Sequence, residues 1–356
     1  MGLLLSVIGA AVRESVLEAG VEPPPRRRWG ARGVMAVGAV VLVSLLWGGK
    51  HWWDLEAANY RNHRLYHPIK SDARVLTDNG QRTLRLEIAD RKFAGFAPLV
   101  PDHGKLMHLF LVREPKLDAF AHLHPIKRDR KTFESVLPDL PAGSYRLYAD
   151  VTYETGSADT LTTAVEVPEG PRSGLSASAS GPLDPDDSWR IAPAFNANPA
   201  NRECRLAPDC IMTWRAPERI VVNQPLSLRF TVNDANGQPV ALEPYLGMRG
   251  HLALRREDGS VFTHLHPGGS ASMAAMQLSV LRAEGKVSLG ANFGKDDPLC
   301  KLLATSPAAE EWLRGSAWAD GVSFPYAFPK PGNYRLWVQI KVKGEILTGV
   351  YDLKVD

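Results

Sequence analysis

Phe120-Ala121-His122-Leu123-His124-Pro125 and Phe262-Thr263-His264-Leu265-His266-Pro267 are two copies of one hexapeptide, Phe-x-His-Leu-His-Pro. A further histidine precedes each copy, His108 in the first and His251 in the second. Downstream, each is followed by Gly-x-Tyr-Arg-Leu, as Gly143-Ser-Tyr145-Arg146-Leu147 and Gly332-Asn-Tyr334-Arg335-Leu336. Shared order over this length marks a duplicated module, and it puts six of the ten histidines at equivalent places. Retention of the pair in both halves, while the residues between them differ, says that the pair has a role in folding or in binding.

Around the first copy, short runs alternate in polarity with period two, the signature of half-buried strands. They include Thr83-Leu-Arg-Leu-Glu-Ile88, Leu106 to Val112, Ala119 to His124, Thr132 to Leu137, Tyr145 to Tyr153 and Leu161 to Val167. A comparable series surrounds the second copy, from Ile211-Met-Thr-Trp214 to Leu347 through Val355. Helical periodicity is nearly absent from both. The expectation is a mainly β chain with two tandem immunoglobulin-like antiparallel β-sandwiches. The Pro/Gly turns leading into Tyr145 and Tyr334 resemble the sandwich corner at which a tyrosine hydroxyl caps a turn. The modules are read as 73–168 and 209–356, joined by a Gly/Ser/Ala/Pro-rich linker, 169–208. The second carries an insertion at about 268–320, with a helix expected around Leu302 to Leu313, where a lid or partner-binding element would fit.

Residues 33–49 form an uncharged apolar run bordered by Arg26, Arg27, Arg28 and Arg32 on one side and by Trp47, Trp52 and Trp53 on the other. This reads as one transmembrane helix with an aromatic belt, near the lower length limit for a span. The positive-inside tendency puts segment 1–32, with its amphipathic helical pattern, in the cytoplasm. The polar stem 50–72 and both modules then lie outside. A formal charge of +3 is too near balance for a nucleic-acid partner. Three cysteines, Cys204, Cys210 and Cys300, fall on the oxidising side, where a Cys204–Cys210 disulfide is the default and pairing of Cys300 with either is the alternative.

On a strand, His122 and His124 point to one face, as do His264 and His266. With His108 or His251 on a neighbouring strand, each module offers three imidazoles, a donor set suited to copper or zinc. Met107 and Met248 lie near in sequence, and a thioether would favour copper. The competing role is structural, with histidines tying strand ends by hydrogen bonds where Pro125 and Pro267 end pairing. A blue-copper carrier needs a cysteine thiolate in the module, and neither has one beside its histidines. No serine-hydrolase elbow, zinc-protease helix motif or phosphate loop occurs, and Asp102-His103-Gly104 reads as a polar loop before a strand.

The second module's Gly250-His251-Leu252, its hexapeptide, and Phe324-Pro-Tyr-Ala-Phe-Pro-Lys-Pro-Gly-Asn-Tyr-Arg-Leu-Trp-Val-Gln339 resemble a group of largely uncharacterised bacterial secreted or membrane-anchored β-sandwich proteins. The resemblance covers both modules and not the anchor. Some such proteins are labelled heavy-metal associated, which implies a metal role for His108, His122, His124, His251, His264 and His266. It also implies a bacterial inner membrane, with the bulk of the chain periplasmic. Anchor and outer modules together suit a non-catalytic accessory or scaffold subunit, with integral membrane subunits as partners in a respiratory or photosynthetic complex. The alternative is an extracytoplasmic copper- or zinc-binding protein, and a third reading is an enzyme of unknown type.

Overall fold

In the computed structural model, which describes residues 2–18, 20–22, 24–65, 68–89, 99–170, 184–197, 202–286 and 321–356, the chain divides into two units, Met1–Pro68 and Ile69–Asp356. The first unit holds α1 (Gly2–Ser15) and α2 (Pro25–His63). By length and composition α2 can cross a bilayer. Its 39 residues span roughly 58 Å at 1.5 Å each, well beyond a hydrocarbon core of about 30 Å. The helix therefore continues through most of the segment read as a polar stem. Pro24 and Pro25 set its start, and Lys50 pairs with Asp54 one turn on, 2.7 Å away.

The second unit is mainly β. Its first module comprises β1 (Ser71–Asp78), β2 (Gln81–Ile88), β3 (Leu99–Val100), β4 (His108–Arg113), β5 (Ala119–Leu123), β6 (Ile126–Lys127), β7 (Thr132–Val136), β8 (Gly143–Tyr153) and β9 (Ala158–Val167). One sheet runs β1-β2-β7-β6; in the other, β4 lies between β5 and β8, and β9 and the short β3 also pair with β8. From the linker, β10 (Ser188–Ile191) adds to the open edge of β5. The second module contains β11 (Glu203–Ala207), β12 (Cys210–Trp214), β13 (Leu226–Asn233), β14 (His251–Arg256), β15 (Phe262–Leu265), α3 (Met273–Ala283), β16 (Gly321–Tyr326), β17 (Gly332–Val342) and β18 (Glu345–Val355). Its sheets run β11-β12-β13-β16 and β15-β14-β17-β18. All named pairings are antiparallel. In both modules the corner tyrosine behaves as its sequence suggests, Tyr145 donating to the Pro141 carbonyl and Tyr334 to that of Lys330, each at 2.7 Å.

Each sandwich closes on its own apolar layer. Leu84, Leu86, Leu109, Leu111, Tyr145 and Leu147 belong to the first, and Leu228, Phe230, Leu252, Leu254, Tyr334 and Leu336 to the second. The strands β4, β8, β14 and β17 are buried on both faces, because their second faces meet between the modules. That meeting is reciprocal. Phe262 of the second hexapeptide stacks on Tyr148 of β8, ring centroids 3.8 Å apart, and Phe120 of the first stacks on Trp337 of β17 at 4.8 Å. Tyr148 and Trp337 occupy equivalent positions downstream of Gly143 and Gly332, so the two contacts are copies of one another. Arg255 donates to the Tyr148 hydroxyl and pairs with Glu114, while Arg335 donates to the Leu117 carbonyl.

The expected Cys204–Cys210 disulfide is not formed; both thiols are free. The β11–β12 register sets Cys204 opposite Met212 and Cys210 opposite Ala207. The two cysteines are thus diagonal neighbours, at roughly 7–8 Å, beyond comfortable bridging distance. Cys300 and the helix expected around Leu302 to Leu313 lie outside the described residues. Within the insertion, α3 begins at Ser272, whose hydroxyl accepts the Ala275 N–H at 3.3 Å.

Truncating Trp337 to alanine removes a fully buried ring from the contact between modules. We expect a loss of about 3–5 kcal/mol in the folding stability of the second unit, read by denaturant unfolding; a loss below about 1 kcal/mol would mean that the stacked contact does not hold the modules together.

Candidate metal centre

The facing of β4-β5-β8 against β14-β15-β17 carries the histidines to one place. His108 of β4, with His122 and His124 at the end of β5, faces His251 of β14 and the pair His264 and His266 at the end of β15. None of the six is more than 7 % exposed. Ring centroids of His108 and His264 lie 5.4 Å apart across the modules, and those of His122 and His264 5.6 Å apart. In each triad, one ligand atom per residue can be chosen so that all lie within 4.8 Å of one another.

The proton positions follow from the acceptors. In the first triad, His108 Nε2 lies 3.1 Å from the Asp102 carbonyl, which can only accept, so this nitrogen carries the proton. His122 Nδ1 lies 2.9 Å from Gln339 Oε1, whose amide nitrogen donates to Ser188, so His122 is protonated on Nδ1. The Tyr245 hydroxyl, which donates to the Asp186 carbonyl, also faces this nitrogen, at 3.3 Å. His124 Nδ1 lies 3.0 Å from Asp187 Oδ1. Each neutral ring has one N–H, and all three point away from the centre. The nitrogens left are lone pairs: His108 Nδ1 and His122 Nε2 face each other at 3.0 Å, and His124 Nε2 has no partner.

The second triad repeats the paired contact but not the full set of outer acceptors. His251 Nε2 donates to the Tyr245 carbonyl at 3.1 Å, and His264 Nδ1 lies 3.5 Å from Asp150 Oδ2. His251 Nδ1 and His264 Nε2 are again 3.0 Å apart. Neither His266 nitrogen has a hydrogen bond, although the Ala271 backbone approaches the ring. The outer partners are exchanged between modules: Gln339 of β17 orients His122, and Asp150, at the equivalent position of β8, faces His264. Two lone pairs at 3.0 Å repel unless a cation lies between them. The distance is close to the roughly 3.3 Å separating two nitrogens of a tetrahedral ion with bonds of about 2.0–2.1 Å. Acceptors behind the three imidazoles of the first triad and behind His251 are what a ligating histidine uses to fix its tautomer.

A proton is the other cation that could relieve this contact, and burial opposes it. Desolvation holds His103, His108 and His266 down at about 4, and His122, His124, His251 and His264 well below the ordinary imidazole value. Burial also pushes Asp150 and Asp187 up to about 7. Asp184 and Asp187 near His124 act as outer partners: Asp184 pairs with Lys105, and Asp187 accepts both the ring and backbone N–H of His124.

Met107 belongs to the core of the first module, on the opposite face of its sheet from His108, so its thioether is not offered to the triad. His103, expected as part of a polar loop, has its ring buried at the centre, and nothing in the sequence singled out Asp150, Asp187, Tyr245 or Gln339. Only their shared offset after Gly-x-Tyr-Arg-Leu links Asp150 and Gln339.

A family model described as a domain of unknown function, DUF8832, matches residues 68–169 and 209–296, more than half of the chain. The chain belongs to this family. The two DUF8832 segments each contain one histidine triad. Among solved structures, one described as "Anomalous substructure of Titin-A168169" matches with 9% identity and a TM-score of 0.16, covering 81% of this chain and 97% of that one. The titin domains z1z2 in complex with telethonin match with 10% identity and a TM-score of 0.15, covering 82% and 98%. Overlaps this low carry no weight for the fold or role of a DUF8832 protein. No curated protein matches the chain.

Buried neutral histidines bind fewer protons than the same residues in the unfolded chain, whose value is about 6.5. The metal-free protein should keep its full stability above that value and lose it as pH falls from about 6.5 to about 4. Asp150 and Asp187 act in the opposite sense, losing their contribution as pH rises toward 7, but the histidines outnumber them. Chemical denaturation in chelator at stepped pH measures this; a stability flat from pH 7 to pH 4.5 would contradict burial of neutral rings.

Proposed function

We propose that this protein is a membrane-anchored metal-binding protein that holds copper(II) or zinc in two three-histidine sites, His108/His122/His124 and His251/His264/His266. The observation that supports this most strongly is the facing of His108 Nδ1 and His122 Nε2 as lone pairs, with all three ring protons of that triad committed to outer acceptors, together with the same 3.0 Å contact between ring nitrogens of His251 and His264. A hydrogen bond that merely braced strand ends would have placed a proton between His108 and His122. Each triad is made of imidazoles, and Met107 is turned away into the core of the first module, a donor set that suits borderline ions rather than copper(I). This reading is placed ahead of the accessory-subunit one because the sheet faces most able to dock a partner are used in joining the two modules. A scaffold role within a membrane complex is compatible with it. No catalytic role is proposed.

The anchor in this reading is α2, with the arginines Arg26, Arg27, Arg28 and Arg32 on the cytoplasmic side and residues 69–356 in the periplasm. Protease added to intact spheroplasts should then remove the β unit, and full protection would refute that orientation.

For the metal, purified full-length protein stripped with chelator and then reloaded should retain zinc or copper(II) after dialysis, with affinity weakening as pH falls through the imidazole range. His122→Gln with His124→Gln, and His264→Gln with His266→Gln, should each remove one triad's ion while membrane association persists. Native protein that retains no metal, with variants that differ only in melting point, would refute the metal reading and leave the bracing role.

A further inference from the structure

The two halves differ at one turn that reaches the centre. In the first module, Asp102-His103-Gly104-Lys105 closes on itself through the Asp102–Lys105 bridge, with His103 and Gly104 at positive φ (51° and 79°). In the second, Tyr245-Leu246-Gly247-Met248 does the same, with Leu246 and Gly247 at 51° and 75°. Each turn lies six residues before its module's first histidine and supplies the carbonyl that accepts from it. The turns are therefore equivalent, but only the first carries a carboxylate and a histidine. Its His103 ring lies against the other module, with centroids 4.9 Å from His266 and 5.4 Å from His251.

We propose that Asp102, His103 and His266 form a third cation position, found in one half only and bridging the two modules, with His266 shared between it and the second triad. This inference rests on the metal reading of the triads. One ligand atom from each of the three residues lies within 4.8 Å of the others. His103 Nε2 is buried without a hydrogen bond, and both nitrogens of His266 are in the same condition, so His266 can serve both positions as a bridging imidazolate, its one ring proton passing to solvent as the second ion binds. Asp102 Oδ1 accepts the Ala274 N–H at 2.9 Å, which ties the carboxylate to the start of α3. A cavity of about 290 Å³ reaches Asp102, His108, His264 and His266 and is lined further by Asp150 and Ser272. It provides room for water to complete the coordination.

Two imidazoles and one carboxylate with open coordination positions suit a divalent ion of the zinc, cobalt or iron class that keeps exchangeable ligands. The triads, by contrast, offer nitrogen alone.

The test uses the full-length protein in detergent, stripped of metal and equilibrated with cobalt(II), whose bound amount and visible spectrum are both read. The variant is Asp102→Asn with His103→Leu. The asparagine keeps an oxygen for the Ala274 N–H, and leucine is what the equivalent turn carries at the same positive φ, so the fold should survive; a melting curve checks this. The variant should bind one cobalt ion fewer per chain than the native protein and lose the bands of a mixed oxygen–nitrogen site, while those of the triads remain. Equal stoichiometry in both proteins would overturn the third position and leave the triads standing. Absence of bound cobalt in the native protein would overturn both.

Discussion

The centre depends on one contact made twice, an aromatic ring of each hexapeptide lying flat on an aromatic ring of the other module. Phe120 on Trp337 and Phe262 on Tyr148 are related by the duplication, so a single geometry satisfies both and the modules meet face to face. Offset stacking of this kind adds roughly 0.5–1.5 kcal/mol per pair to the burial of the rings. Its larger effect is positional. The histidines follow the phenylalanines along the same strand faces by two and four residues, and whatever sets the phenylalanines against the opposite module sets the histidines against each other.

An interior that gathers this many neutral imidazoles needs compensation. Every described ring proton of the His108/His122/His124 triad goes outward, to the Asp102 carbonyl, Gln339 and Asp187. In the second triad the Tyr245 carbonyl accepts from His251, and Asp150 lies 3.5 Å from His264 Nδ1. Two of these groups are supplied by the opposite module, so orientation of the rings and closure of the interface support one another. A buried lone pair facing a second lone pair is unfavourable in the absence of a cation, and an ion held there would stabilise the interface that positions its ligands. Duplication with exchange of partners also explains why both copies of the hexapeptide retain their histidines: loss from either half would leave groups of the other unpaired.

Much of this was legible in the residues. Alternation in Thr83-Leu-Arg-Leu-Glu-Ile88 marks a strand with one wet face, which is what β2 is. The unbroken apolar run His108-Leu-Phe-Leu-Val112 signals burial on both faces, yet from sequence alone the second partner could have been a membrane complex as readily as the other module. The convergence of six histidines was hidden for that reason, since it depends on how the modules dock and not on any local pattern. Register was equally out of reach. The pairing sets Cys204 opposite Met212, two residues from Cys210, and a spacing rule for disulfides does not detect that diagonal placement. The strand β10 and the helix α3 escaped because each takes its stability from a docked neighbour, the edge of β5 for one and Val100 with Asp102 for the other.

The central claim is that the imidazoles of the two modules hold an ion at their meeting faces. X-ray absorption at the zinc edge, on zinc-loaded protein, tests it most directly. The account predicts a first shell of nitrogen at about 2.0–2.1 Å with the outer-shell scattering of several imidazole rings and no sulfur near 2.3 Å. A shell of oxygen alone, or one containing sulfur, would place the ion elsewhere and contradict it.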